Sequence, residues 1–343
     1  MRAIAYRQPG PIDRPDALVD VELPKPMPTG RDILVKVQAV SVNPVDAKVR
    51  LGASPFDGRT ERILGWDAAG VVEAVGEEVS RFQVGDEVFY AGDLMRDGSN
   101  AEYQLVDEQI VGHRPRSISV AEAAALPLTT ITAWETLFDR LKVADQPAGG
   151  ARAILIIGGA GGVGSAAIQI ARARTDLTVI ATASRAETQG WVRNLGAHHV
   201  LDHSQPMTPQ IAALGFGAPA FVFSTTHTDR HLADIAELIA PQGRFALIDD
   251  PASLDIVGFK RKAVSVHWEL MFTRSLFGTP DMAEQGRLLD TVAELVDAGR
   301  IRTTATETLS PISAATLTEA HRCIESATTR GKIVLEGWEP RHD

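Results

Sequence analysis

Apolar and polar positions change rhythm twice along the chain. Over the first 125 residues, short apolar runs with alternating polar positions are cut by glycine and proline, and the segments 32–42, 70–75 and 86–90 predict strands. From residue 126 the period lengthens. Helical patterns over 132–141, 165–174 and 232–239 alternate with apolar runs at 154–157, 177–182, 221–224 and 245–248, with a short third strand at 200–202. Such alternation predicts a parallel sheet wrapped by helices. After about residue 265, an apolar segment holding Trp268, Met271 and Phe272 leads into a helix over 281–298, an apolar region over 312–327 and a closing strand over 332–335. The predicted fold class is α/β in two domains. One is β-rich and barrel-like over 1–125, completed by 266–343; the other, over 126–265, is a doubly wound parallel sheet.

The apolar run at 154–157 enters Gly158-Gly159-Ala160-Gly161-Gly162-Val163-Gly164 and leaves as the 165–174 helix. Gly159, Gly161 and Gly164 fit G-x-G-x-x-G, where glycines permit a tight turn, close approach of the backbone to a pyrophosphate, and close packing of helix on strand. Gly162 and Val163 open the helix, whose unpaired N-terminal amides face the anion. A glycine-rich turn without a ligand would read the same locally. The strand at 177–182 follows at the interval of a βαβ unit, which favours the dinucleotide reading and a Rossmann domain. An NAD site usually places Asp or Glu about 20 residues past the motif, on the ribose hydroxyls. Here the strand ends Ala181-Thr182-Ala183-Ser184-Arg185. A hydroxyl and a guanidinium suit a 2′-phosphate, so the cofactor expected is NADPH, held by Ser184 and Arg185. In the competing reading Arg185 is solvated and Glu187 is the ribose-binding acid.

Composition narrows the functions. Among 343 residues, 34 basic side chains face 44 acidic ones, a formal charge of −10 that argues against a nucleic-acid partner. The single cysteine, Cys323, excludes intrachain disulfides and multi-cysteine metal sites. The N-terminal stretch lacks the apolar core of a secretory signal and no apolar run is long enough to span a bilayer, so the expected location is the cytoplasm, away from membranes.

Several segments together resemble the medium-chain dehydrogenase/reductase superfamily over almost the whole chain. They are Ser41-Val-Asn43-Pro44-Val-Asp46, Gly65-Trp66-Asp67-Ala-Ala-Gly70, Val84-Gly85-Asp86-Glu-Val88, Ala124-Ala-Leu126-Pro127-Leu128-Thr129-Thr130, the glycine loop, and Gly331-Lys332-Ile-Val-Leu335. Within it, the chain looks like the quinone oxidoreductase branch and the bacterial proteins labelled zinc-type alcohol dehydrogenase-like. The resemblance implies a GroES-like catalytic domain, an inserted Rossmann domain, a cleft between them, and a homodimer or homotetramer through the Rossmann sheets.

Where zinc-dependent relatives place Cys and Gly-His-Glu, this chain carries Asn43 and Gly65-Trp66-Asp67. A catalytic zinc takes about three protein ligands from Cys, His and carboxylates, so no metal is expected. Without a metal, the natural chemistry is hydride transfer from NADPH to a quinone or an α,β-unsaturated carbonyl (an enone). By the resemblance, Asn43 is the candidate hydrogen-bond donor or positioner and Asp46 supports its loop. Lys48 stands where many relatives have a tyrosine, and Trp66 walls the pocket. Thr129, Thr130, Ser224, Asp249, Phe272 and Lys332 are the further cofactor contacts implied, and Met271 and Phe272 approach the substrate. Two alternatives remain open: a non-catalytic NADPH-binding sensor or structural protein, and a zinc alcohol dehydrogenase.

Overall fold

The computed structural model describes residues 1–340 and divides into two units, Met1–Leu128 with Phe272–Asp343, and Thr129–Met271. In the first unit, strands β1 (Arg2–Tyr6), β2 (Val19–Glu22), β3 (Asp32–Ser41), β4 (Arg62–Ile63), β5 (Ala68–Val75), β6 (Glu87–Tyr90), β7 (Tyr103–Asp107) and β8 (Val111–His113) precede the second unit. β1 pairs antiparallel with β2 and β4. β3 is the hub of the larger sheet. Its Ile33, Val35, Val37 and Ala39 are buried while Lys36 and Gln38 are exposed, the alternation of a strand with one wet face. β5 runs along one edge of β3, and register shifts between Leu34 and Val35 and between Val37 and Ala39 mark irregularities that bend this long strand. β7 pairs with residues 32–36 of β3.

The second unit contains β9 (Ala151–Ile157), β10 (Thr178–Thr182), β11 (His199–Leu201), β12 (Pro219–Ser224), β13 (Arg244–Leu247) and β14 (Ser265–Trp268), all parallel, in the order β11-β10-β9-β12-β13-β14. Helices Gly162–Arg174, Ala186–Asn194, Met207–Ala213 and Thr228–Leu238 alternate with the strands. Residues 153–157 of β9 are completely buried, as befits a strand covered on both faces. Leu155, Ile180, Val222 and Phe245 pack with Ile211, Ile235 and Phe259 into one core. Strand order reverses between β9 and β12, and in such sheets ligands bind outside the carboxyl ends at the reversal.

The structure differs from the sequence reading at three places. The unit boundaries fall after Leu128 and Met271, not after residues 125 and 265. Residues 266–268 are expected in the tail that completes the β-rich domain; instead, with Ser265, they form β14 and pair with β13. Only one side of β14 is laddered, so its residues are half-exposed and lack the apolar run that marks buried parallel strands. The helix expected over 132–141 begins earlier, at Pro127, and continues as a π-helix over Glu135–Arg140. Proline suits a first helical turn because its missing N–H is unpaired there anyway.

The chain then returns to the first unit with helix Glu284–Asp297, β15 (Ala305–Leu309), helix Ala314–Glu325 and β16 (Lys332–Glu336). β16 pairs parallel with β15 and antiparallel with the carboxyl end of β3, with Val334 opposite Ser41. Extending that register by two residues sets Lys332 across from Asn43. No helix of the described residues is long and apolar enough to cross a membrane.

Candidate active site

In the first unit the site begins where β3 ends. Asn43 is the N-cap of helix Pro44–Gly52, with extended backbone and proline next in line. The Asp46 carboxylate accepts the Asn43 backbone N–H at 2.7 Å, the return half of a capping box, and so fixes the turn between strand and helix. The Asn43 side chain also makes tertiary contacts. Its Nδ2 donates to Asp67 Oδ2 at 2.8 Å and lies 3.5 Å from the Trp66 carbonyl, while its Oδ1 accepts from Lys332 Nζ at 2.5 Å.

Asp67 is the centre of this cluster. Its Oδ2 accepts from Ser41 Oγ at 2.8 Å, from Asn43 Nδ2, and from Lys332 Nζ at 3.0 Å; its Oδ1 accepts the Leu128 backbone N–H at 2.7 Å. Lys332 completes its three donations with the Val42 carbonyl at 2.7 Å. Asp67 is 0% and Lys332 4% exposed, so neither charge is balanced by bulk water. Removing one partner of such a pair typically costs about 3–5 kcal/mol because the other is left buried and uncompensated.

Burial also pushes Asp46 up to about 7, with nearby Asp67 adding to the effect; the Asn43 and Gly65 backbone amides and Lys332 oppose it. Lys48 lies two helical positions beyond Asp46 and is exposed, whereas Asp46 is buried. Trp66 is buried, donates its indole N–H to the Asp93 carbonyl at 3.2 Å and meets Phe272 edge-on, ring centroids 6.3 Å apart. A separate cavity of about 170 Å³ in the same unit, lined by Arg96, Gln104, Asp107 and Met282, contains none of the expected site residues.

In the second unit each motif glycine has a distinct surrounding. A Cβ on Gly164 would lie 2.3 Å from the Gly158 carbonyl oxygen, and one on Gly159 2.9 Å from Ala181 Cβ, so helix and strand packing require both to be glycine. Gly161 differs: its φ is −73°, open to any residue, and an added Cβ would meet only the Gly158 oxygen at 3.7 Å. Among the described residues nothing else lies within 4 Å of that added Cβ, which leaves open space at the start of the 13-residue helix Gly162–Arg174.

Several of the remaining candidates of this unit follow or end strands. Ser184 and Arg185 follow β10 and are exposed. Thr182 Oγ1 accepts the Gly158 N–H at 3.0 Å and lies 2.9 Å from His203 Nδ1, tying the start of the glycine loop to the strands beside it. Ser224 and Asp249 converge on Thr228, whose hydroxyl lies 2.8 Å from Ser224 Oγ and 2.5 Å from Asp249 Oδ1. Asp249 also accepts the Thr228 N–H at 2.8 Å, serving the first turn of helix Thr228–Leu238. Thr129 and Thr130 are buried on helix Pro127–Trp134. Met271, also buried, follows Glu269, which Arg140 Nε holds at 2.7 Å.

Ser41 and Asp67 were not among the site residues expected from sequence. A lysine opening an otherwise apolar strand, Lys332-Ile-Val-Leu335, signals a buried cation in need of an anion; which anion is a matter of pairing between distant strands.

Residues 29–128 match the alcohol dehydrogenase GroES-like domain and residues 195–335 the zinc-binding dehydrogenase family. A zinc-type alcohol dehydrogenase-like protein of Staphylococcus aureus is 40% identical over 98% of this chain and 99% of its own. A human mitochondrial NAD(P)H oxidoreductase is 31% identical over 89% of this chain and 81% of its own. Among solved structures, a candidate zinc-dependent alcohol dehydrogenase from Rhizobium etli superposes with a TM-score of 0.98 at 64% identity, covering 99% of both chains. A quinone oxidoreductase from Pseudomonas syringae gives 0.82 at 25% identity, covering 98% of this chain and 99% of its own.

Two outcomes follow from this geometry. Gly161→Ala should change unfolding free energy by no more than about 1 kcal/mol yet weaken dinucleotide binding at least tenfold, whereas Gly164→Ala should destabilise the fold by about 1–3 kcal/mol. Denaturant unfolding and calorimetric titration separate the two; equal affinity of Gly161→Ala and the parent would remove the phosphate role. Asp46 concerns pH. The folded state keeps its proton up to about pH 7, while the unfolded chain releases it near pH 4. Stability should therefore fall as pH rises through that window, by up to about 1.4 kcal/mol per unit from this group, and level off above it. Asp46→Asn, which keeps the capping acceptor, should flatten that slope in urea unfolding between pH 5 and 8; an unchanged slope would mean that Asp46 is ionised throughout.

Proposed function

The chain belongs to the medium-chain dehydrogenase/reductase superfamily, and on that premise we propose that it is an NADPH-dependent reductase delivering hydride, without zinc, to a quinone or an α,β-unsaturated carbonyl. The observation that carries this reading is the filled oxygen cage at Asn43 and Asp67. Zinc-named relatives raise the question of a metal, but the donor set does not fit one. Trp66 supplies no ligand, Asn43 replaces a thiolate, and both Asp67 oxygens already accept hydrogen bonds, one of them from the Lys332 ammonium. Among the described residues no three His, Cys, Asp or Glu side chains group as metal ligands. A quinone oxidoreductase among the structural neighbours supports the acceptor class.

The room at Gly161 fits a dinucleotide, and exposed Ser184 and Arg185 beyond β10 favour one carrying a 2′-phosphate. When bound, NADPH supplies the hydride. The chain's part is to hold the pyrophosphate on the amides at the start of helix Gly162–Arg174 and the 2′-phosphate on Arg185. Asn43 Nδ2 then offers a hydrogen to the acceptor oxygen as negative charge develops. Asp46 keeps the Asn43 backbone in place for that donation. A homodimer or homotetramer belongs to the same proposal. β14 ends the parallel sheet, and Trp268 on it is 53% exposed, leaving a strand edge for a second copy to continue.

Metal-stripped protein should oxidise NADPH with small quinones and enones at an undiminished rate. Activity confined to alcohols or aldehydes and restored only by zinc would overturn the proposal, and tight NADPH binding without turnover on any acceptor would mark a binding protein. Arg185→Ala should weaken NADPH by about 10- to 100-fold while leaving NADH affinity nearly unchanged; equal weakening of both cofactors would remove Arg185 from phosphate recognition.

A further inference from the structure

An amide side chain has two ends of similar shape, and a donor role for Asn43 depends on which end faces where. The buried charges around it settle the matter. The Lys332 ammonium can only donate, so the atom 2.5 Å from it is the amide oxygen; the Asp67 carboxylate can only accept, so the atom 2.8 Å from it is the amide nitrogen. Turning the amide over would set NH₂ against ammonium and carbonyl against carboxylate, two repulsive contacts in a dry interior. One Nδ2 hydrogen is committed to Asp67. Among the described residues the other has only the Trp66 carbonyl, at 3.5 Å, and is the hydrogen with which the amide can donate a hydrogen bond to an incoming oxygen. A cation on the carbonyl oxygen also draws electron density from the nitrogen and makes that N–H a stronger donor.

We propose that Lys332 is a positioning residue for Asn43: its ammonium, buried between the Val42 carbonyl, Asn43 Oδ1 and Asp67 Oδ2, locks the amide in one orientation and polarises it toward the acceptor. This rests on the reading above, in which Asn43 donates to the developing oxyanion. It gives Lys332 a role at the reacting end of the site, distinct from a cofactor contact.

The test uses Lys332→Met, which keeps the length of the side chain and removes its charge and hydrogens. Quinone turnover should fall at least tenfold, while the KM for NADPH changes less than about threefold; Lys332→Arg, which retains a donor and a charge, should recover part of the loss. A second readout does not depend on turnover. The side-chain amide hydrogens of Asn43, assigned in nitrogen-15 spectra by their disappearance in Asn43→Ser, should exchange slowly with solvent in the parent and at least tenfold faster in Lys332→Met. Should that variant fail to fold because Asp67 is left unpaired, Lys332→Met combined with Asp67→Asn removes both charges and keeps an acceptor for Asn43 Nδ2, and the same faster exchange is expected. Unchanged exchange in the folded variant overturns the proposal, whether or not turnover falls. Faster exchange in a protein whose parent reduces no quinone or enone would uphold the orientation of Asn43 and overturn the reductase reading instead.

Discussion

The charge pair between Lys332 and Asp67 is the constraint around which the first unit's site is organised. Two ions taken out of water are tolerated only if every donor and acceptor finds a partner. Here that demand recruits the Val42 carbonyl, the Asn43 amide, the Ser41 hydroxyl and the Leu128 amide into one shell. The demand reaches back into topology. β16 must lie beside the carboxyl end of β3, in the register that sets Val334 opposite Ser41, for the ammonium to arrive at the right depth. A one-residue slip would turn Lys332 to the other face of the strand and leave Asp67 buried with no cation.

The second unit is organised by backbone geometry. Its parallel strands are buried on both faces, so their side chains serve packing, and chemistry is left to the loops at their carboxyl ends. Gly159 and Gly164 bring strand, loop and helix together, while Gly161 keeps the loop's outer surface clear. Thr182 and Thr228 then knit neighbouring loops to one another through hydroxyl groups. One unit thus positions polar side chains in a dry interior, and the other places its glycine loop and exposed Arg185 at the carboxyl ends of its strands.

The family resemblance is met at the level of fold: a GroES-like domain and a Rossmann-like parallel sheet. Zinc-named relatives share that fold, and in this chain Asp67 accepts from Ser41, Asn43 and Lys332 while Trp66 offers no metal-ligating atom. A family name describes the frame in such a case, while the donor atoms decide the chemistry.

What the sequence determined by itself was local. Alternation along 32–42, the apolar run into the glycine loop and the helical pattern after it depend on neighbours a few residues apart, so the strand, turn and helix there were legible. Asn43 became a candidate through the family resemblance, which the contiguous segment Ser41-Val-Asn43-Pro44-Val-Asp46 helps to carry. β14 was missed because an edge strand need not be apolar, and the faces of Asp46 and Lys48 separated only once the helix phase was known. The partnership of Lys332 with Asn43 joins residues 289 positions apart. Only tertiary structure decided it, because no local period encodes which strand will lie beside β3, and burial alone turns a lysine in an apolar strand into the cation that an aspartate and an amide must share.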